Sequence, residues 1–111
     1  MEKIVNIEEK EIGLKCTAGT VRAYRMDFNR DLILDFATVE KKLLKDKDLD
    51  KEFQNIAENI LWMMAKEYDS SIPEINVWLE QFSPYFVFRA IAHAINMWHE
   101  NLVTLNNAKK N

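Results

Sequence analysis

Residues 17–31 read TAGTVRAYRMDFNRD, which places a helix start, a short amphipathic helix and a helix stop in one stretch. Thr20 is expected as the N-cap, its hydroxyl accepting from an otherwise unpaired backbone N–H of the first turn. Val21, Tyr24 and Phe28 fall on one helical face by their i, i+3, i+7 spacing. Arg22, Arg25 and Asn29 fall on another. Asn29 suits the left-handed position that ends many helices, and Asp31 is placed to cap the next one. The stretch therefore predicts a helix, a corner and a second helix.

Upstream, residues 3–7 and 11–16 alternate with a period of two and are separated by the charged EEKE. That pattern predicts a β-hairpin. An isolated hairpin is marginal in water, so it must pack on the helices or join another sheet, one partner being the same hairpin of a neighbouring subunit. Cys16 reads as a small apolar strand residue. Glu8 and Glu9 are expected in a solvated turn.

Downstream, the pattern is helical throughout. Leu32, Leu34, Phe36, Val39, Leu43 and Leu44 mark a second helix, and the run KDKDLDKE, residues 45–52, ends it and opens the third. Phe53, Ile56, Ala57, Ile60, Leu61 and Met64 follow the spacing of a strong core helix. Ser71 with Glu74 fits a capping box for a short apolar helix carrying Val77, Trp78, Leu79 and Phe82. Ser83 and Pro84 signal one more start, with Pro84 at the first helical position. Phe88, Ile91, Ile95, Trp98 and Leu102 run along the last helix, and NNAKKN reads as a frayed tail. The expected fold is α+β and mostly α: an N-terminal β-hairpin followed by a bundle of about five helices. It forms one globular domain over residues 1–105, with the hairpin at 3–16, helices over 20–105 and a flexible tail at 106–111.

The chain has 111 residues, 48% hydrophobic and 30% charged, with a formal net charge of −3. That is ordinary for one soluble domain and large enough for a core without staples. A single cysteine excludes an intrachain disulfide framework and fits a reducing compartment. Residues 1–11 hold no apolar core of a signal peptide, and no uncharged run approaches the ~20 residues of a membrane span. Between residues 53 and 88, Lys66 is the one base against Glu58, Glu67, Asp69, Glu74 and Glu80. A duplex-binding protein gathers its bases into one positive field, so this pattern suits a protein partner better.

Catalytic chemistry has little to stand on. His93 and His99 are six residues apart and miss the i, i+4 spacing of a zinc-binding helix, so no metal is expected. Both glycines precede residue 20, which leaves no phosphate loop. Ser70, Ser71 and Ser83 sit at helix starts, where capping accounts for them. Arg22, Arg25 and Arg30 read as a solvated face pairing with Asp27 and Asp31. No catalytic residue and no cofactor is expected.

Three blocks carry a family resemblance. TAGTVRAYRMDFNRDLILD, residues 17–35, is similar to a Thr-containing cap followed by Tyr-Arg and then Phe-Gly-Arg-Asp-Leu. NIAENILWMMAKEYDSSIPEINVWLEQF, residues 55–82, matches in order at Met64-Ala65-Lys66, Ser71-Ile72-Pro73 and Trp78-Leu79. MWHENLVTLNNAKKN closes the chain. In these blocks the sequence resembles the tail assembly chaperones of long-tailed bacteriophages and prophages of Gram-positive bacteria. Asn29 stands where that pattern tends to have Gly, and YFVFRAI, residues 85–91, carries Arg89 where acidic residues are expected.

The resemblance implies a non-enzymatic protein of the bacterial host cytoplasm that coats the tape measure protein, keeps it soluble and recruits tail tube protein. It would be absent from the mature virion. It also implies a homo-oligomer, a ring or a spiral, and a longer frameshifted form for which Lys109, Lys110 and Asn111 would mark an A-rich slippery run. From the apolar surplus, Trp78, Phe82, Tyr85 and Trp98 are the candidate partner face, while Val21, Tyr24, Arg25 and Phe28, with the hairpin, are candidates for self-association. Trp78→Ala or Phe82→Ala is then expected to lower partner solubility with helical circular dichroism intact. Two alternatives stand beside this reading. One is a small DNA-binding regulator using residues 20–36 as a helix-turn-helix; the other is a connector or adaptor that stays in the virion.

Overall fold

In the computed structural model of the chain, which describes residues 1–45 and 49–110 and the side chains as far as Glu100, the hairpin forms as its alternation requires. β1 (Glu2–Ile7) pairs antiparallel with β2 (Lys10–Lys15), Val5 facing Ile12 and Ile7 facing Lys10. Val5, Ile7, Ile12 and Leu14 turn inward and are buried, while Ile4 and Asn6 stay exposed. Cys16 continues the ladder opposite Met1. Its thiol is buried, and burial pushes its pKa up to about 11.

The turn departs from the expectation of a solvated acidic pair. Glu8 and Glu9 both take positive φ, 53° and 66°. Two-residue hairpin loops of this shape favour Asn and Gly, because a side chain is strained there. Glu8 is held by distant groups. The Ser83 N–H donates to its Oε1 at 2.8 Å, the Ser83 hydroxyl donates to Oε2, and the Arg89 guanidinium donates to Oε2 at 2.8 Å. Only 12% of the Glu8 side chain is exposed.

That clamp has a pH signature. The two Ser83 hydrogen bonds first, and Arg89 after them, hold the Glu8 carboxyl below its ordinary value. Folding lowers this pKa, so its contribution is present above the unfolded value of about 4.3. It is lost as the pH falls through the lower folded value. The unfolding midpoint of the wild type is expected to drop more steeply below about pH 4 than that of Glu8→Gln. Parallel acid slopes for the two proteins would contradict the clamp.

α1 (Ala18–Phe28) is capped three residues before the expected position. Thr17, in extended backbone, is the N-cap and accepts from Gly19 N, while the Thr20 hydroxyl accepts from Thr17 N at 2.9 Å. Thr20 is thus the inner half of a reciprocal box, and it is fully buried. Asn29 closes the helix in the left-handed region, φ 55° and ψ 41°, with its N–H bonded to Arg25 O. Asp31 caps α2 (Leu32–Lys45) by accepting from Leu34 N at 3.1 Å.

Across this corner the Tyr24 hydroxyl donates to Asp35 Oδ2 at 2.6 Å, and Arg30 donates to both Asp35 oxygens at 2.8 and 2.9 Å. Arg30 therefore pairs with Asp35 rather than with Asp27 or Asp31. A carboxylate one turn into α2 matches the planar guanidinium fork and the buried phenol together.

α3 (Lys51–Tyr68) is capped by Asp50, which accepts from Phe53 N at 3.1 Å. The centre of the KDKDLDKE turn, residues 46–48, lies outside the described residues. α3 is the central element, packed against β2, α1, α2, α4 and α5, so half of its residues are buried, Trp62 to Ala65 included.

α4 (Ile75–Leu79) is capped by Glu74, whose carboxylate accepts from Asn76 N and Val77 N. The expected Ser71 cap is corrected. Ser71 N and Oγ both donate to Asp69 Oδ1, which ties Ser71 to the end of α3, and Pro73 separates it from α4.

α5 (Phe86–Lys110) begins two residues after Pro84, which sits in the preceding turn. It runs to Lys110, past residue 105 where the sequence reading ends the domain; Asn111 lies outside the described residues. Among the described residues the architecture is α+β and mostly α, a two-stranded hairpin and five helices.

Candidate functional site

α4 is too short to present two faces, and it sends its one large side chain inward. Trp78 is 4% exposed, its ring edge-on to Phe82 at 5.1 Å and to Phe86 at 5.6 Å. Phe82 follows α4 in the loop and stacks on Phe86 at 3.8 Å between centroids, with part of its surface open. Lys10 Nζ donates to Gln81 O at 2.7 Å and lies 5.6 Å from the centre of the Phe82 ring. The hairpin and the α4–α5 loop are thereby joined on both sides of the turn.

Two clefts flank Phe82. One, of about 400 Å³, lies between β2 and the end of α3, with Ile12, Gly13, Tyr68, Ile72, Trp78 and Phe82 forming its apolar walls and Lys10, Glu11 and Asp69 its charged members. The other, of about 250 Å³, is lined by Leu79, Phe82, Phe86, Val87, Gln54 and Glu58. Burial pushes the Glu58 carboxyl up, and among the described residues no cation or donor faces it. Phe82 thus stands as one aromatic ring between two clefts of mixed lining, the first with Glu11, Asp69 and Lys10 and the second with Glu58, Gln54 and Ser83. Among the described residues, no group of three or more His, Cys, Asp or Glu is placed to hold a metal.

The candidate partner residues do not form one surface. Trp78 belongs to the core, a correction to its assignment as a contact residue, although it also lines the first cleft. Phe82 is half-buried and Tyr85 is 64% exposed, beside Arg89. Trp98 is stacked on Phe36 at 4.6 Å, on the seam between α5 and α2. It lies about 18 Å along the helix axis from Phe86, at 1.5 Å per residue.

The self-association set divides in the same way. Tyr24 is fully buried, which corrects its assignment, because it is the residue of α1 whose hydroxyl reaches Asp35. Val21 and Phe28 are half-buried, Phe28 lying against the Trp62 ring at 6.0 Å, and Arg25 is exposed. At the corner weighed as a helix-turn-helix, α2 exposes Ile33 and Leu34, which carry no hydrogen-bonding group to read a base edge.

Gly13 and Tyr68 were not singled out from the sequence, although a glycine inside a strand pattern marks close approach of another group. The Tyr68 ring lies against Gly13, and a Cβ there would fall 2.1 Å from its Cδ1. Gly13→Val is expected to push Tyr68 out of the first cleft and to lower stability by about 1–3 kcal/mol. An unchanged urea midpoint for this variant would contradict the packing. Compared with known protein families, with curated proteins and with solved structures, the chain matches none.

Proposed function

We infer that the Phe82 surface docks an amphipathic helix of another protein, and that the chain works as a tail assembly chaperone of the type its sequence resembles. The observation that carries this is the Phe82 ridge, a partly exposed aromatic ring between two clefts that combine apolar side chains with Glu11 and Asp69 in the first and Glu58 in the second. A helix laid along the ridge places apolar residues one turn apart in the two clefts, which is the helix-in-groove mode. Basic residues on that helix complete the match, because Glu11 and Asp69 outnumber Lys10 in the first cleft and, among the described residues, Glu58 is the one charged residue lining the second.

The occupant in this reading is the tape measure protein, whose long apolar stripes aggregate unless covered. Several copies line one partner in the host cytoplasm, bring tail tube protein to it and depart before the virion is complete. Peptides cut from that partner supply a direct test. A basic amphipathic helix is expected to bind with an affinity that falls as salt rises. Phe82→Ala or Glu58→Lys is expected to weaken it tenfold or more. Phe82→Ala alone costs roughly 2 kcal/mol of stability, since the ring is half exposed. Binding indifferent to both substitutions would refute the surface.

A further inference from the structure

Met1 and Cys16 exchange both backbone hydrogen bonds, at 3.2 and 2.8 Å, which makes them a closely bonded pair. Bonded and non-bonded pairs alternate along an antiparallel ladder. In this register Lys3–Leu14, Val5–Ile12 and Ile7–Lys10 are therefore the bonded pairs. Glu2, Ile4 and Asn6 turn their N–H and C=O groups away from β2. Among the described residues nothing pairs with those groups. The strand carries no Pro and no bulge, and its one lysine, Lys3, is tied to Glu100 of α5 at 3.6 Å. α3 lies against β2, with Tyr68 over Gly13, and α5 lies against β1, an arrangement that still leaves Ile4 56% exposed.

We propose that two copies of this chain pair antiparallel through β1 about a twofold axis at Ile4, joining their two-stranded sheets into one. The register follows from charge. An axis at Lys3 sets Lys3 against Lys3 of the partner subunit. An axis at Val5 brings Glu2 to Glu8 of the partner subunit. With the axis at Ile4, all three outward residues find bonding partners: Ile4 meets Ile4 of the partner subunit, and Glu2 meets Asn6 of the partner subunit.

In that arrangement Lys3, already paired with Glu100 at 3.6 Å, lies opposite Val5 of the partner subunit, so no like charges meet. The two Ile4 side chains cover one another on the outer face. The joined sheet also gains the strands that an isolated hairpin lacks.

Sedimentation equilibrium of the full chain reads the pairing. The wild type is expected to dimerise, and Ile4→Lys, which sets two ammonium groups across the axis, to raise the dissociation constant tenfold or more with unchanged circular dichroism. Cross-linking supplies a second readout. Directly opposed strand residues stand about 5.5 Å apart at Cα, within disulfide reach. Ile4→Cys is expected to give a disulfide-linked dimer under mild oxidation, whereas Met26→Cys, at a position 68% exposed on α1, is not. A wild type that stays monomeric, an association that Ile4→Lys leaves intact, or equal cross-linking from both cysteines would overturn the proposal. The experiment uses this chain alone, so its failure would leave the Phe82 docking surface standing.

Discussion

Trp78→Ala is expected to destabilise the fold by about 3–5 kcal/mol, the range for truncating a buried tryptophan. The side chain is 4% exposed and is packed by Phe82 and Phe86. Its removal opens a cavity at the point where α4 meets α3 and the hairpin. Phe82 then loses the ring that fixes its angle, and both clefts lose their common support. Against a total stability of about 5–15 kcal/mol this is a large share. The thermal midpoint should fall by on the order of 15 °C. This replaces the sequence expectation that Trp78→Ala spares the helical signal. A variant with an unchanged midpoint would contradict the burial.

Asp35→Ala is expected to cost about 3 kcal/mol, most of it from the phenol it abandons. Asp35 is 4% exposed and Tyr24 is fully buried, so the Tyr24 hydroxyl has no water to turn to. Burial first, and Asp35 after it, push the phenol pKa far above its ordinary value, so Tyr24 remains a hydrogen donor. Arg30 is different: 44% of its side chain is exposed, and it regains solvent when its partner goes. Removing the orphaned hydroxyl should therefore repair part of the loss. Asp35→Ala combined with Tyr24→Phe is expected to be about 1 kcal/mol more stable than the sum of the two single changes. Strict additivity would mean that the hydroxyl does not depend on Asp35.

How much of this was legible depends on the distance over which each feature is decided. The strands of the hairpin, the left-handed Asn29 and the Asp31 cap are set by neighbours in sequence, and local pattern read them correctly. The caps at Thr17 and Glu74 were missed by three residues each, because both ends of a capping box carry suitable side chains and only the backbone decides between them. The Glu8–Glu9 turn carries neither Asn nor Gly. Its conformation is held by Ser83 and Arg89, and the first of these lies 75 residues away. Nothing local announces that.

The candidate site was legible in part. Phe82 and the acidic run between residues 53 and 88 pointed to it. Trp78 misled, since a five-residue helix shows too little periodicity to separate its buried side from its open one. Tyr24 misled for another reason: the apolar surplus that suggested a contact residue does not show that its hydroxyl has an internal partner in Asp35.

The docking claim is tested most directly by co-expressing this chain with a phage tape measure protein, the occupant proposed for the Phe82 surface, and measuring the mass of what stays in solution by light scattering. The account predicts a soluble complex holding several copies of this chain per partner, and loss of that complex for Phe82→Ala although the variant alone remains helical. A partner left insoluble by the wild type, or a complex that Phe82→Ala does not disturb, would contradict it.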